Sequence, residues 1–506
     1  MILFVVLLAL LVALYPSEAL PKLARLAVIG AIVAVATSYF WLPFLIEKAY
    51  LNEIPYSHAG AAKPMLGRQG WALTLQLLDY RRLPVLNCLA ILGLGYAVYS
   101  RDRASWLIIA FSLMWFSLYV ITRAVHQVRF FLPMHELLPS KRFSGAVDVA
   151  AILLIGLAGE GLFRLCRPLK QPWRAGIPGL LILALMLPAL RERYVFYTHN
   201  ARDVESAAAL LDADPDYYAI LDRVKELPPG RLVWRSARFG LYDPSWFLTF
   251  YDITTIDRGQ GLSLNAGITQ YFNTRKPFTY DLFNVTYVVG PASAIPLDFF
   301  EPVLKTSRYA LYHVKTSGYA RFVGLLPSPD LPRGTLKAHQ FMQDANVQWL
   351  TSADAAAGRF IQWHYPPGIP PPENVGSSGD ENTGTVTAQE VSADRMKISV
   401  ECRQLSTLVL KVTFHPNWRV TVDGHSAKTF MVSPSYIGLQ VPAGQHQIVA
   451  EYRSGALKKT LIVLGICTLL AAILLRRRLN ELAELAVAMI SQYWPKAGQK
   501  TGGADT

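Results

Sequence analysis

The sequence predicts a polytopic α-helical membrane protein of about seven spans with a large extracytoplasmic α/β plus β-sandwich domain. Two observations predict this class. Apolar runs long enough to cross a bilayer occur repeatedly in residues 1–190 and once more near residues 461–475. Between them, residues 191–457 have the composition of a soluble protein, although 52% of the whole chain is hydrophobic.

Seven apolar runs are predicted as membrane spans. They cover residues 1–16, 26–46, 83–99, 105–122, 146–163, 176–190 and 461–475. The first run has no basic residues before it and is followed by a second apolar segment, which favours a span over a cleaved signal peptide. The sixth run is short and contains Pro178 and Pro188.

Basic clusters at the ends of the runs predict the orientation. They lie at Lys22 and Arg25, Arg101 and Arg103, Arg164 to Arg174, and Arg476 to Arg478. All four share one face if the N-terminus is outside, and positive residues concentrate on the cytoplasmic face. We therefore expect a multi-pass protein of the cytoplasmic membrane, with its large domain on the extracytoplasmic side. An outer N-terminus without a translocation signal leads us to expect further spans upstream in a complete version.

Composition divides the chain into six predicted parts. They are a transmembrane helical domain at 1–190, an extracytoplasmic α/β domain at 191–363, a Pro/Gly/Ser linker at 364–385, an extracytoplasmic β-sandwich at 386–457, a C-terminal transmembrane helix at 458–478, and a cytoplasmic amphipathic helix with its tail at 479–506. Short strands are predicted in RLVWRS, YDITTID, TYVVG and YALYHVK. Asp423-Gly424 predicts a hairpin turn.

Charge and cysteine content narrow the function classes. The formal net charge is +13, but many basic residues flank predicted spans and no nucleic-acid reader motif is present, so nucleic acid is not an expected partner. The four cysteines form no CxxC and only Cys402 lies in the soluble insert, which indicates no disulfide framework. No metal site and no cofactor are predicted.

The outer loop RAVHQVRFFLPMHELLPSKRFSG, residues 123–145, is basic and aromatic. Short loops on that side usually carry few positive charges. Arg129, Lys141 and Arg142 could hold a lipid phosphate, because guanidinium groups match phosphate oxygens. Asp148, about two helical turns after Lys141, could orient them. The alternative is that the three basic residues bind lipid headgroups or pair with acids of the insert, and that Asp148 pairs with a neighbouring helix.

Other polar residues of the outer loops are candidates for acid–base chemistry. His126, His135 and Glu136 could serve this purpose, although interfacial hydrogen bonds are their more common role. Three acids of loop 47–82 could also act as a base. They are Glu47, Glu53 and Asp79.

Trp418 and Tyr452 of the β-sandwich could form a carbohydrate platform, although packing is the more common role of such residues. Trp41 and Trp71 could stack on a sugar, but the aromatic belt of the membrane interface explains them more simply.

The β-sandwich also contains the segments on which a family resemblance rests. HPNWRVTVDG at 415–424 and VPAGQHQIVAEY at 441–452 are followed by the last apolar run, and this pattern resembles the C-terminal end of YfhO-like bacterial membrane proteins. Four upstream segments occur in similar order there: SYFWLPFL (38–45), LPSKRFSG (138–145), FNVTYVVG (283–290) and YARFVG (319–324). The layout also resembles the bacterial membrane proteins labelled 6-pyruvoyl-tetrahydropterin-synthase-related, although no residue indicates pterin chemistry.

The resemblance covers roughly residues 30–475 and implies a GT-C-like glycosyltransferase. Such enzymes use polyprenyl-phosphate-linked sugars on the outer face of the membrane. They place the catalytic acid in the first outer loop, a region expected upstream of residue 1, so the chain resembles a C-terminal portion and its catalytic residue is unknown. The implied partners are membrane lipids, a polyprenyl-phosphate-sugar donor and an envelope glycopolymer acceptor.

Two alternatives remain open. The chain could be a non-catalytic integral membrane protein whose outer domain binds a cell-envelope polymer or a protein partner. Transport is a weaker alternative, because the predicted spans carry few charges beyond Asp148 and Glu160.

Overall fold

The computed structural model describes residues 16–51, 85–124, 142–170, 173–235, 248–256, 271–366, 384–453 and 455–481, with short pieces at 245, 264, 266–269 and 484–485. The chain divides into two compact units. The helical unit takes its described residues from 1–42, 55–198 and 457–506, and the β-rich unit from 43–54 and 199–456.

Helices dominate the first unit and accompany the sheets of the second. In chain order the α-helices are α1 Pro16–Ala36, α2 Ser38–Ile46, α3 Val85–Ser100, α4 Arg103–Ala124, α5 Arg142–Leu165, α6 Trp173–Asp212, α7 Pro215–Glu226, α8 Ala266–Thr269, α9 Pro277–Leu282, α10 Thr335–Thr351, α11 Ala353–Ala356 and α12 Ala456–Leu474. Short 3-10 helices lie at Lys48–Tyr50 and Leu248–Tyr251.

Three helices among the described residues are long and apolar enough to cross a membrane. Their apolar stretches are Arg103–Val120, Gly145–Leu165 and Ala456–Leu474. Arg25–Ala36 and Ser38–Ile46 add a fourth candidate if this pair, bent by 69°, is one span. These helices are compatible with a membrane protein.

The predicted count of seven spans is not supported. The predicted first run, residues 1–16, lies almost wholly outside the described residues, and the sixth, residues 176–190, is part of the 40-residue helix α6. The third forms α3, which has only 16 residues and is shorter than an ordinary span.

Side chains satisfy the backbone where α1 and α2 meet. The Thr37 hydroxyl donates to the Val33 carbonyl at 2.7 Å, and the Trp41 indole donates to the Ala34 carbonyl at 2.8 Å. Carbonyls at a helix end have lost their intrahelical partners, and a hydroxyl bonded to the preceding turn favours bending. Trp41 therefore has a local structural role in addition to the interfacial one expected from the sequence.

Within the helical unit, α3 and α5 approach closely at a glycine. A Cβ added to Gly93 would lie 1.8 Å from the Leu154 carbonyl oxygen, so no larger residue fits there without separating the helices. Small residues allow this kind of close backbone approach between apolar helices.

The strands of the β-rich unit form three sheets. In chain order they are β1 Arg231–Trp234, β2 Val285–Pro291, β3 Glu301–Lys305, β4 Tyr309–His313, β5 Ala320–Leu326, β6 Arg359–Trp363, β7 Gly384–Val391, β8 Arg395–Cys402, β9 Ser406–Thr413, β10 Trp418–Val422, β11 His425–Ser426, β12 Thr429–Val432, β13 Tyr436–Val441 and β14 Gly444–Tyr452. The apolar helices and the β-sheet domain expected from the sequence are thus both present.

The first sheet has the order β1-β2-β4-β3, with β1 parallel to β2 and the other pairs antiparallel. Helix α7 packs on it through Tyr217, Ile220, Leu221 and Val224, whose helical spacing places them on one face. The Asp214 side chain caps α7 by accepting from the Tyr217 N–H at 3.2 Å.

One predicted strand is wrong. YDITTID, residues 251–257, contributes only an isolated bridge between Thr255 and Leu232, and the 3-10 helix Leu248–Tyr251 covers its start. Asp252 has a positive φ of 58°, which turns the backbone out of the extended conformation that pairing would need.

The other two sheets share one core. One has the order β11-β10-β14-β8-β7, and the other is a closed barrel of β12, β13, β9, β5 and β6. Strands β5 and β6 precede the predicted linker at 364–385, yet they pair with β9 and β12 beyond it. The barrel therefore joins segments from both sides of that linker.

Candidate functional site

Most residues predicted to bind the lipid phosphate or to act as acid and base lie outside the described part of the chain. These are Glu53, Asp79, His126, Arg129, His135, Glu136 and Lys141. Arg142 is the first residue of α5, where only its backbone is described, and Asp148 follows on the same helix with an exposed side chain. Phosphate binding by this loop therefore stays a prediction.

Within the β-rich unit, a carboxylate meets a group of aromatic and amide side chains, which we term the Glu47 cluster. It consists of Glu47, Tyr50, His415, Asn417, Trp418 and Tyr452. They come from the segment that follows α2, from the turn between β9 and β10, and from the end of β14.

Local sequence shapes two of these segments. The 3-10 helix Lys48–Tyr50 turns the chain directly after Glu47. In HPNW, the Trp418 N–H donates to the His415 carbonyl at 3.1 Å, which closes a turn around Pro416. The two turns bring His415 and Glu47 together across a long sequence separation.

Asn417 organises the polar part of the cluster. Its side-chain amide donates to Glu47 Oε1 at 3.1 Å and lies 3.5 Å from the Tyr452 hydroxyl. Its backbone N–H donates to His415 Nδ1 at 3.2 Å. Because Nδ1 accepts this bond, a neutral His415 carries its proton on Nε2, which lies 3.8 Å from Glu47 Oε2.

Aromatic rings surround this polar group. The His415 ring lies 5.3 Å from Tyr50 and 5.7 Å from Tyr452, and Trp418 meets Tyr452 edge-on at 5.5 Å, measured between ring centroids. The Glu47 side chain is 35% exposed and Tyr452 39% exposed. The carboxylate is thus flanked by rings and still reachable from solvent.

Burial sets the charge states of the neighbouring groups. It lowers the pKa of His415 below its ordinary value, although Glu47 opposes the change, so His415 is neutral at neutral pH. Burial also raises the pKa of Tyr50, which keeps that phenol protonated. Glu47 is the acidic member of the cluster.

A second pair of side chains fixes the segment that carries Tyr50. His339 Nε2 lies 2.9 Å from the Ala49 carbonyl oxygen and 2.6 Å from the Tyr365 hydroxyl, which also donates to that carbonyl. Tyr365 in turn meets Tyr50 edge-on with a centroid distance of 6.1 Å. Residues 48–50 are therefore held on the β-rich unit by contacts with α10 and with the chain after β6.

A buried group of charged side chains lies elsewhere in the β-rich unit, around Lys411. Lys411 Nζ donates to the Asp281 carbonyl oxygen at 2.6 Å, to Asp281 Oδ1 at 2.9 Å and to Ser317 Oγ at 2.7 Å. Arg321 donates to Asp281 Oδ2 at 2.8 Å. The Lys411 side chain is only 2% exposed.

Burial lowers the pKa of Lys411 to about 8, although Asp281 opposes it. Burial acts to raise the pKa of Asp281, but Lys411, Arg321 and the Ser317 N–H lower it to about 2. Both groups are therefore charged at neutral pH. All three protons of Lys411 are engaged in hydrogen bonds. We therefore assign the ion pair a structural role and do not treat Lys411 as a reactive amine.

Among the residues that the structure describes, no group of three or more His, Cys, Asp or Glu side chains is placed to hold a metal ion. No protein-family model, curated protein or solved structure matches the chain. The Glu47 cluster is a candidate site whose carboxylate is open to solvent.

Sequence reasoning paired Trp418 with Tyr452, considered Glu47 apart from them, and missed Tyr50, His415 and Asn417. The signal for His415 and Asn417 was present in HPNW, a short polar turn between two strands. Lys411 was also missed, although a lone lysine within the apolar strand TLVLKVTF indicates a buried charge that needs a partner.

Proposed function

We propose that this chain is a GT-C-like membrane glycosyltransferase, or part of one, that acts on a polyprenyl-phosphate-linked sugar at the outer face of a bacterial inner membrane. The observation that supports it best is the Glu47 cluster: one solvent-accessible carboxylate, held by an amide and flanked by aromatic rings. The orientation comes from the basic clusters of the sequence.

Chain connectivity supports a location near the membrane surface. Glu47 is the residue directly after α2, which belongs to a candidate span, and Tyr452 lies just before α12, which is another. The ends of two apolar helices therefore lead directly into the cluster, and a lipid-linked sugar would present its sugar at that level.

The residues of the cluster suit sugar transfer. Glu47 would accept the proton of an acceptor hydroxyl while that oxygen bonds to the anomeric carbon of the donor. The bond from that carbon to the phosphate oxygen would break, and polyprenyl phosphate would leave with the electron pair. Asn417 would hold the carboxylate, while Tyr452 and Trp418 would contact the faces of the sugar rings.

The loop 123–145 is proposed from the sequence alone, and separately from the Glu47 cluster, to bind a lipid phosphate. Arg129, Lys141 and Arg142, oriented by Asp148, would supply the positive charge. Membrane lipids, the donor and an envelope glycopolymer acceptor are the proposed partners.

A non-catalytic envelope-binding protein is the second candidate. One observation favours it: Asn417 engages Glu47 Oε1 and His415 faces Oε2, so the carboxylate is already held as a hydrogen-bond acceptor for sugar hydroxyls. The cluster would then bind a saccharide at the membrane surface without transferring it.

One experiment separates the two candidates. The full chain is reconstituted in phospholipid vesicles with radiolabelled polyprenyl-phosphate glucose, and release of labelled sugar to an acceptor glycan or to water is measured beside donor binding. We expect Glu47→Gln to reduce transfer by about 100-fold or more while binding is retained, because a lost general base costs at least this much. The matched control is Glu401→Gln, which neutralises an exposed carboxylate on β8 of the same unit.

Equal transfer by Glu47→Gln and the unmodified chain would refute Glu47 as the base. Binding without any transfer by the unmodified chain would favour the non-catalytic candidate. If neither binding nor transfer occurs, the handling of a lipid-linked sugar is refuted.

A further inference from the structure

A second site, unrelated to Glu47, lies in a cleft of about 670 Å³ in the β-rich unit. Its walls are the ends of β2 and β4, the segment leading into β5, and strand β7. This volume is typical of pockets that bind small molecules or short segments of a polymer.

Hydrogen bonds make the floor of the cleft rigid. The Gln389 side chain accepts from the Tyr319 N–H at 2.8 Å and donates to the Ser317 carbonyl at 3.0 Å. Gly318 lies between them with a φ of 77°, and an added Cβ would come within 2.5 Å of the Gln389 amide. The cleft is therefore preformed rather than a gap between loosely packed strands.

Basic side chains line the cleft, and one of them is an exposed lysine. His313, Lys315 and Arg321 line the cleft, and none of the described lining residues is Asp or Glu. Arg321 and His313 already pair with Asp281 and Glu301. Lys315 is exposed, and in the described part of the chain it has no carboxylate partner. An anionic ligand would supply one.

One buried side chain orients the hydroxyl groups of the cleft. Asn284 is fully buried and has a φ of 48°, which is rare for a residue with a side chain. Its Oδ1 accepts from Thr316 Oγ1 at 2.8 Å and from Thr286 Oγ1 at 3.4 Å. Thr286 and Thr316, which are only partly buried, therefore present hydroxyl oxygens with fixed orientation at the cleft.

We propose that this cleft binds an anionic saccharide. The sugar hydroxyls match the hydroxyls of Thr286 and Thr316, while a carboxylate or phosphate on the sugar pairs with Lys315. The site does not depend on the sugar transfer proposed above, because it shares no residue with the Glu47 cluster.

Binding by the full chain in lipid nanodiscs tests this site. The probes are tetragalacturonate, pentamannose 6-phosphate, neutral maltotetraose and hexa-aspartate, measured by titration calorimetry. We expect at least one acidic saccharide to bind, with maltotetraose and hexa-aspartate at least about tenfold weaker, and added salt to weaken that binding. Binding of tetragalacturonate alone would assign the charge to a carboxylate, and binding of the mannose phosphate alone would assign it to a phosphate.

Two charge-reversing variants complete the design. Lys315→Glu should weaken binding of the acidic saccharide by about tenfold or more, since it places a like charge at the anion. Lys305→Glu, an exposed position on β3 of the first sheet that does not line the cleft, changes the net charge equally and should leave affinity unchanged. Equal effects of the two variants would overturn the site. So would equally tight binding of maltotetraose or hexa-aspartate, or no binding of any probe.

Discussion

Replacing Lys411 by methionine should destabilise the β-rich unit strongly. The substitution keeps most of the side-chain volume but removes the buried ammonium and its three hydrogen bonds. Asp281 would then remain largely buried with only Arg321 and Ser317 to compensate its charge. Removing one partner of a buried ion pair typically costs about 3–5 kcal/mol, because the remaining charge is left inside. We expect a loss at the lower end of that range, since Arg321 stays in place.

Hydrogen exchange measures this loss in the full chain. The slowest amides of β9 report opening of the β-rich unit itself, which avoids assuming that a chain with two units unfolds in one step. Lys411→Met should lower their opening free energy by about 3 kcal/mol. Lys305→Met, at an exposed position on β3, should change it by less than about 0.5 kcal/mol.

A double-mutant cycle isolates the pair. Asp281→Asn together with Lys411→Met should cost less than the sum of the two single changes, by about 1–3 kcal/mol, because neither charge is then left alone. A cost below about 1 kcal/mol for Lys411→Met would show that the ammonium is not needed for stability. Strict additivity of the two changes would show that the ion pair has no coupling energy.

Three further predictions follow from described residues. Its neighbours lower the pKa of Asp281 to about 2 from an ordinary 3.8, so the ionised carboxylate stabilises the fold above pH 4. This stabilisation, about 2 kcal/mol, should be lost as the pH falls from about 4 to about 2. In acid denaturation, Asp281→Asn should lack this dependence of stability on pH. Gly318→Ala should reduce amide protection in β5 by more than Gly334→Ala does. Both glycines have a positive φ, but only a Cβ at residue 318 would clash, with the Gln389 side chain. Equal effects of the two substitutions would exclude this clash as the cause. Arg142→Ala and Asp148→Ala should each weaken binding of a polyprenyl-phosphate sugar to the full chain, and unchanged affinity in both would remove them from the site.

Local features of the fold could be predicted from the sequence. Asp423-Gly424 forms the expected two-residue hairpin between β10 and β11, with φ values of 51° and 81° that suit these two residues. Apolar length likewise located most of the helices of the first unit. Turn residues and apolar runs act through residues that are close in sequence, so they can be recognised without knowing how the rest of the chain folds. YDITTID failed because Asp252 takes a positive φ of 58°, which the pattern of β-branched and aromatic residues does not reveal.

The candidate site could be predicted only in fragments. Glu47 was considered as an outer acid, and Trp418 and Tyr452 as a possible platform, but nothing local indicates that they meet. Their contact depends on the pairing of β10 with β14, which sets Trp418 opposite Tyr452, and on the docking of residues 48–50 against His339 and Tyr365. Contacts over such separations are set by topology rather than by periodicity.

Glu47 belongs to a short segment that lies far from the rest of the site in sequence. Residues 43–54 belong to the β-rich unit although the chain on either side of them belongs to the helical unit. The segment that brings Glu47 and Tyr50 is therefore an extension of an apolar helix, and it fills a place on the β-rich unit beside His339, Tyr365 and His415. A fragment limited to residues 199–456 would lack Glu47 and Tyr50, and with them the contacts to Asn417, His415 and Tyr365. The site thus requires two parts of the chain that are far apart in sequence, so neither part contains the whole site.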